Sequence, residues 1–479
     1  MNDVFDAVVI GGGPAGLFAA WSLAAGGAKV MLVEAGNGMR QSLCPRVSAR
    51  MRGQSVREAE KFRLQCDRCV CLTGLGGAAF HFDTNLGYVN GLSRTKVERD
   101  ASGRVTPFSG LERALGSFDR AHRAVDHVYS LMYSFGLTPA RAEVVDAVPS
   151  FASMGSFLVA DEGPSQAITV DEALTVVDAL LHDALGRGLG LALQHRVENV
   201  TEAPGGAWRL HISGGEVESL VTRNVVFAVG KLGLPWVKKM LVSLNIEHRA
   251  SATVDVGVRL EMPRLGAKPL TASCHNPKLT FLNAQSEPVR TFCVCEGGRI
   301  MQYNLEDVVL LDGQHCLTTP TQRTNFGIVT TLNVPEGRDG ADVGLEYARS
   351  VSRAGGGYPV AQPLRELLGM AGGTTASSSL IRATHANLAD VIGPARVADI
   401  RGMVERLAEQ VPDITGPETI VAAPVVEKMF PKIELSADMS SSREGIYFAG
   451  DCSSKIIGVT YGAATGIACA EGILKADKG

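Results

Sequence analysis

Gly11, Gly13 and Gly16 are the residues whose spacing speaks most directly of chemistry: a glycine turn able to cradle a pyrophosphate. They follow the apolar run Val8-Val9-Ile10. Pro14-Ala15-Gly16 then leads into a helix-like stretch, Leu17 to Ala25. Gly11 permits the tight turn, Gly13 lets backbone approach phosphate, and Gly16 allows helix and strand to pack closely. The helix start adds free N–H groups and a positive dipole end. A second strand, Lys29 to Val33, ends in Glu34, 23 residues after Gly11. That acid can accept hydrogen bonds from ribose hydroxyls.

Other groups could do proton chemistry. His81, Asp83 and Asn85 follow the glycine run Gly74 to Gly77, and a histidine can act as a general base near neutral pH. Tyr88, Tyr303, Tyr358 and Tyr461 could each donate a proton to a substrate carbonyl, and His275 and His315 read as structural. Cys44, Cys66, Cys69 and Cys71 fall close together. They leave three readings open: a zinc or iron–sulfur centre, a redox pair, or reduced thiols packed in the core, the last being the ordinary one. No metal is expected. Cys293-x-Cys295 alternates on a strand, so both thiols face one way and a disulfide between them is strained. Between residues 40 and 68, seven arginines and Lys61 stand against three acids. Such a run is usually a solvated face, yet Arg40 or Arg46 could reach a pyrophosphate.

The elements that must position these groups read as α/β. Val170 to Leu185 forms an amphipathic helix. Strand-like runs follow at 191–200, 207–212 and 217–220, and then comes the buried strand Asn224 to Gly230. Gly445 to Asp451 is another strand ending in an acid, with a glycine-rich turn and a helix from Tyr461 to Leu474 behind it. The expected architecture is a Rossmann-like nucleotide domain in three pieces, 1–40, 165–250 and 418–479. The segments 41–164 and 251–417 would insert as an α+β cap and substrate domain. Residues 371–379 read as a flexible stretch.

Bulk properties narrow the class. A chain of 479 residues has room for two or three domains. Its 45% hydrophobic and 20% charged content is that of a globular protein. A net charge of −4 gives no reason to expect nucleic acid or a membrane surface. The first strand begins almost at once, so neither a signal peptide nor a membrane span is expected, and a cytoplasmic location follows.

Together the three segments resemble the glutathione-reductase-like superfamily of FAD-dependent oxidoreductases. The resemblance implies FAD as cofactor. Gly11, Gly13, Pro14, Ala15, Gly16, Glu34, Ala35 and Arg40 would hold its ADP half, with Asn199 in the second segment. Ala228 and Gly230 would lie close to it, and Gly450 and Asp451 would bind the ribityl or pyrophosphate portion. The turn from Lys455 to Gly462, with Gly458 and Thr460, would approach the isoalloxazine. Tyr461 is therefore the favoured tyrosine, and Cys452 is expected near the cofactor.

A closer resemblance is to a group of bacterial FAD-dependent dehydrogenases. It rests on four stretches: Cys66 to Phe80, Arg290 to Gly298, Asn325-Phe326-Gly327, and Tyr447 to Ile473. This chain has Glu296 where that group usually has proline, and His81 to Leu86 where the group carries a Ser-Asp-Gly-Lys-Leu type of segment.

No second glycine fingerprint follows a strand, so a built-in nicotinamide domain is not expected. The reading is a dehydrogenase or reductase in which His81 or Tyr461 handles the proton and flavin N5 exchanges hydride with a small organic substrate. NAD(P)H, oxygen, a quinone or a redox protein would be the external electron partner. The alternatives are a flavin monooxygenase or oxidase, for which Asp312-Gly313 is the nearest second motif, and a flavin-bearing redox sensor acting through its cysteines.

Overall fold

The computed structural model describes residues 4–44, 72–87, 97–99, 105–107, 110–139, 158–160, 165–272, 276–372 and 378–476. Cys66, Cys69, Cys71, Tyr88, His275, residues 373–377 and the arginines from Arg46 to Arg68 lie outside them.

Two sheets organise the chain. The first is built on a parallel row in the order Gly190–Leu193, Val30–Glu34, Phe5–Ile10, Ser219–Phe227, Ile446–Phe448. On Ser219–Phe227 an antiparallel meander grows outward through Ala207–Ser213 to Arg196–Ala203. That one strand shows how pairing shapes burial. Its first half alternates buried and partly exposed positions beside the meander, and its end, Val225 to Phe227, is fully buried in the parallel row. Antiparallel strands can keep one wet face, whereas parallel strands are covered on both.

The helix Pro14–Ala25 packs against the last helix, Val459–Ala476, through small residues. A Cβ on Gly466 would stand 2.1 Å from the Ala15 carbonyl oxygen, so the closeness of the two helices depends on that glycine. The helix Val170–Gly186 starts at a capping box, with Thr169 accepting from the Glu172 N–H and Glu172 accepting from the Thr169 N–H.

The second sheet runs Val360–Pro363, Ile420–Glu427, Thr253–Pro263, Arg323–Asn333, Pro288–Cys295, Lys278–Leu282, Leu158–Ala160. The neighbouring hairpin Arg299–Leu305 and Val308–Gln314 and the helices Gly340–Ala354 and Leu388–Ala408 pack on it. Here the expected boundary at residue 418 moves. Ile420–Glu427 pairs with Thr253–Pro263 and Val360–Pro363, not with the nucleotide sheet. Its eight residues are all buried, and a run that is apolar from Ile420 to Val426 carries no period to say which sheet will take it.

Candidate cofactor site at the domain junction

The glycine turns of the first, second and third segments meet at the ends of adjacent parallel strands. Gly11 has φ +103°, and a Cβ there would lie 2.5 Å from the Ala228 carbonyl oxygen. A Cβ on Gly16 would lie 1.8 Å from the Gly11 oxygen. Both glycines are therefore demanded by packing. Gly13 differs: the nearest atom to its Cβ would be Gly77 Cα at 3.8 Å. Its bare backbone borders open space beside the first turn of Pro14–Ala25, where N–H groups lack intrahelical partners.

Gly230 and Gly450 take φ values of +60° and +70°. Gly450 sits against Ala15, its Cβ position 3.0 Å from the Ala15 Cβ, and its N–H donates to Thr465 Oγ1 at 2.9 Å. The first and third motifs thus touch, although 435 residues separate Ala15 from Gly450.

Two groups there await a polar ligand. Burial pushes the Asp451 carboxyl up to about 6, while Lys231 and the Gly458 N–H pull the other way. The Thr460 hydroxyl is buried and has no hydrogen-bond partner among the described residues. The hydroxyls and phosphates of a dinucleotide would satisfy both, so the residues present fit FAD. Tyr461 follows, half-buried in the first turn of Val459–Ala476 and beside Gly458.

Glu34 is an anchor for loops. Its carboxylate accepts from the N–H groups of Gly12 (2.7 Å), Gly36 (2.7 Å) and Gly74 (3.1 Å). A carboxylate offers about four lone-pair sites, which leaves about one for a ribose hydroxyl. The run Gly74 to Gly77 lies on the first glycine turn, with the Gly76 N–H donating to the Gly12 oxygen at 2.8 Å. It belongs to the same site and does not form a second nucleotide unit.

A polar cluster that sequence reading did not assemble closes the junction. Lys231, just after Gly230, donates to Glu427 Oε1 (2.5 Å) and to the Val426 carbonyl (3.0 Å), and lies 5.5 Å from the centre of the Tyr303 ring. Burial disfavours the ammonium, but Glu427, Tyr303 and Asp312 outweigh that and hold Lys231 above its ordinary value. Burial pushes the Tyr303 phenol up, so it stays protonated. Asp312 also faces Arg259 Nη1 at 3.5 Å. Arg259 is fully buried, donating to Asn325 Oδ1 (2.7 Å) and to the Cys293 carbonyl (2.5 Å). The Asp312-Gly313 pair has a local explanation: a Cβ on Gly313 would stand 1.8 Å from Arg259 Nη2.

Several expected positions land elsewhere. His81 is 0% exposed, directly after the short helix Gly77–Phe80. Asp83 is buried and accepts from the N–H groups of Val170 (2.8 Å), Leu317 (2.6 Å) and Thr318 (3.4 Å), capping a helix and pinning a loop. Asn85 falls on the strand Thr84–Gly87. Arg40 is exposed and pairs with Asp178 of the helix Val170–Gly186. Ala35 is an exposed residue just after Val30–Glu34. Asn199 sits mid-strand on the outermost strand of the meander, opposite His211. Cys452 turns into the core, its thiol donating to the carbonyls of Phe227 and Ala449 at 3.2 Å each, and burial pushes that thiol up to about 12. Cys44 is buried, just after the short helix Met39–Ser42. For Cys452 the reading rests on adjacency in sequence to Asp451, but the turn points its side chain into the core.

Comparison with known proteins agrees with the geometry of the first motif. Residues 6–44 match the family model of an FAD binding domain. No curated protein matches the sequence. Solved structures align over almost the whole chain at low similarity. Glycine oxidase from Geobacillus kaustophilus has 12% identity and a TM-score of 0.40, covering 99% of this chain and 95% of its own. A flavoprotein/dehydrogenase from Cytophaga hutchinsonii has 11% identity and a TM-score of 0.41, covering 99% and 79%. The p-nitrophenol 4-monooxygenase PnpA from Pseudomonas putida DLL-E4 has 12% identity and a TM-score of 0.36, covering 99% and 80%. The α/β sheet, the glycine turn and the family match over residues 6–44 together define a Rossmann-like FAD-binding fold at the start of the chain.

Proposed function

We propose that this flavoprotein is a dehydrogenase or reductase of a small organic molecule, working at the junction of its two sheets. The observation that carries this reading is the meeting of Gly13, Gly230 and Asp451 at adjacent strand ends, beside the buried Lys231–Glu427–Tyr303 group. Bound FAD would supply a hydride-exchanging atom, flavin N5.

The chain's own residues do the rest. Gly13 and the first turn of Pro14–Ala25 would receive the pyrophosphate, and Glu34 would offer its remaining lone-pair site to the ribose. Asp451 would accept from the ribityl hydroxyls. The positive end of Val459–Ala476 would favour negative charge on the bound cofactor. Tyr461 gives or takes the substrate proton, the half-buried group best placed for it. The electron partner is external, and NAD(P)H, oxygen, a quinone or a redox protein are the classes to screen.

No helix among the described residues is long and apolar enough to cross a membrane. Thiols packed in the core, Cys452 and Cys469, support a reducing compartment such as the cytoplasm.

The test is an absorbance spectrum before and after acid precipitation, followed by anaerobic mixing with candidate substrates. Flavin that acid releases, and that candidate substrates bleach in the intact protein, supports the reading. A colourless protein that takes up no FAD sinks it.

A further inference from the structure

We propose that Cys293, Cys295 and His315 form a site for a borderline-soft divalent cation, zinc foremost, between the second sheet and the adjoining hairpin. Their ligand atoms all lie within 4.8 Å of one another. The two sulfurs are 3.6 Å apart, and Cys295 Sγ is 3.8 Å from His315 Nε2. A tetrahedral zinc, with Zn–S of about 2.3 Å and Zn–N of about 2.05 Å, separates two sulfurs by about 3.8 Å and sulfur from nitrogen by about 3.6 Å. These two separations match edges of such a tetrahedron, and the third, from Cys293 Sγ to His315, is within 4.8 Å. A disulfide needs about 2.05 Å, well short of the spacing seen here.

The backbone is shaped to bring the sulfurs together. Strand register slips between Phe292 and Cys295, which face Gly327 and Asn325, so one extra residue bulges out. Cys293 sits in that bulge at φ +44°. An L-residue avoids this conformation unless its surroundings enforce it. Glycines make the room: a Cβ on Gly298 would lie 2.6 Å from Cys295 Cβ, and one on Gly313 would lie 2.6 Å from Cys295 Sγ. His315 comes from the adjoining hairpin, directly after Val308–Gln314, and its backbone bridges to Asp83.

Charge and outer contacts also suit a cation. Two thiolates balance a divalent ion, and Asp312 balances Arg259, so the whole group sums to neutrality. Arg259 Nη2 lies 3.5 Å from Cys295 Sγ and donates to the Cys293 carbonyl, an outer contact that orients the sulfur. Among the described residues there are three protein ligands, which leaves a fourth position for water, the pattern of reactive zinc centres. The inference does not depend on the flavin reading.

The experiment is a Zn2+ titration of the purified full-length protein, stripped by chelator and kept reduced, with elemental analysis after desalting and X-ray absorption at the zinc edge. The expected result is about one Zn2+ per chain, with two sulfurs at about 2.3 Å and a nitrogen at about 2.0 Å. Cys295→Ser and His315→Ala should each weaken binding by about tenfold or more, whereas Cys295→His retains it. The absorption spectrum needs only wild-type protein, so a variant that fails to fold does not blunt the test. A zinc shell without sulfur overturns the site. So does wild-type retention no greater than that of a Cys293→Ser/Cys295→Ser double variant, or a Cys293–Cys295 disulfide that binds no Zn2+ once reduced.

Discussion

Lys231 Nζ lies 2.5 Å from Glu427 Oε1, and this pair joins the two sheets. Lys231 follows the parallel strand of the nucleotide sheet, and Glu427 ends a central strand of the other. Removing one partner leaves a buried charge uncompensated, whereas removing both does not. Lys231→Met or Glu427→Gln alone should cost about 3 to 5 kcal/mol. The double variant should recover most of that. Chemical denaturation of the four proteins of this cycle is the check, and simple additivity would mean that the charges do not interact.

Asp451 ties stability to pH. Its folded carboxyl sits at about 6, above the ordinary value of 3.8, so between these values the folded state holds more protons than the unfolded. Stability of FAD-free protein should therefore fall as pH rises from about 4 to about 6, by about 2 kcal/mol or less, and then level off. Asp451→Asn should flatten that slope. FAD affinity should move the other way, rising as the carboxylate ionises. Thermal melts and flavin binding at two pH values decide both.

Gly13 and Gly16 separate ligand binding from folding. Gly16→Ala places a Cβ 1.8 Å from the Gly11 oxygen and should abolish folded protein. Gly13→Ala meets nothing closer than 3.8 Å. It should change stability by about 1 kcal/mol or less. Its FAD affinity should drop by about tenfold, equal to about 1.4 kcal/mol, because backbone can no longer close on phosphate. Equal losses of stability from the two substitutions would contradict this division.

His81 and Tyr461 separate packing from proton chemistry. His81→Gln should lower the melting temperature and leave the kcat pH profile of the folded enzyme intact. Tyr461→Phe should keep FAD and lower kcat by about 100-fold, the scale of a lost general acid or base. A pH profile altered in the first variant and unchanged in the second would reverse these assignments.

Asp83 holds three backbone N–H groups. Asp83→Ala should cost about 2 to 4 kcal/mol, since each orphaned buried donor carries a desolvation penalty. Hydrogen exchange should show the loss at Val170 and Leu317 together.

Much of the nucleotide half was legible along the chain because its information is local. Gly11 to Gly16, the strand ending in Glu34 and the capped helix from Val170 are each written in a few consecutive residues, and turn chemistry and period suffice to read them. The rest is non-local. Ile420–Glu427 carries no period, so only pairing chose its sheet. His81 and Cys452 adjoin site motifs, but both are buried. Lys231, Glu427 and the hairpin that carries Tyr303 and Asp312 come from three separate stretches, and only the packing of one sheet on another brings them together. Cys293 and Cys295 were visible as a pair, but a one-residue bulge set their sulfurs 3.6 Å apart and a strand end brought His315 beside them. The sequence by itself determined which nucleotide fold forms and which turn can hold a phosphate, because backbone sterics act between neighbours. The tertiary structure alone decided which charges meet and which candidates are buried, because contacts across hundreds of residues depend on how the sheets pack.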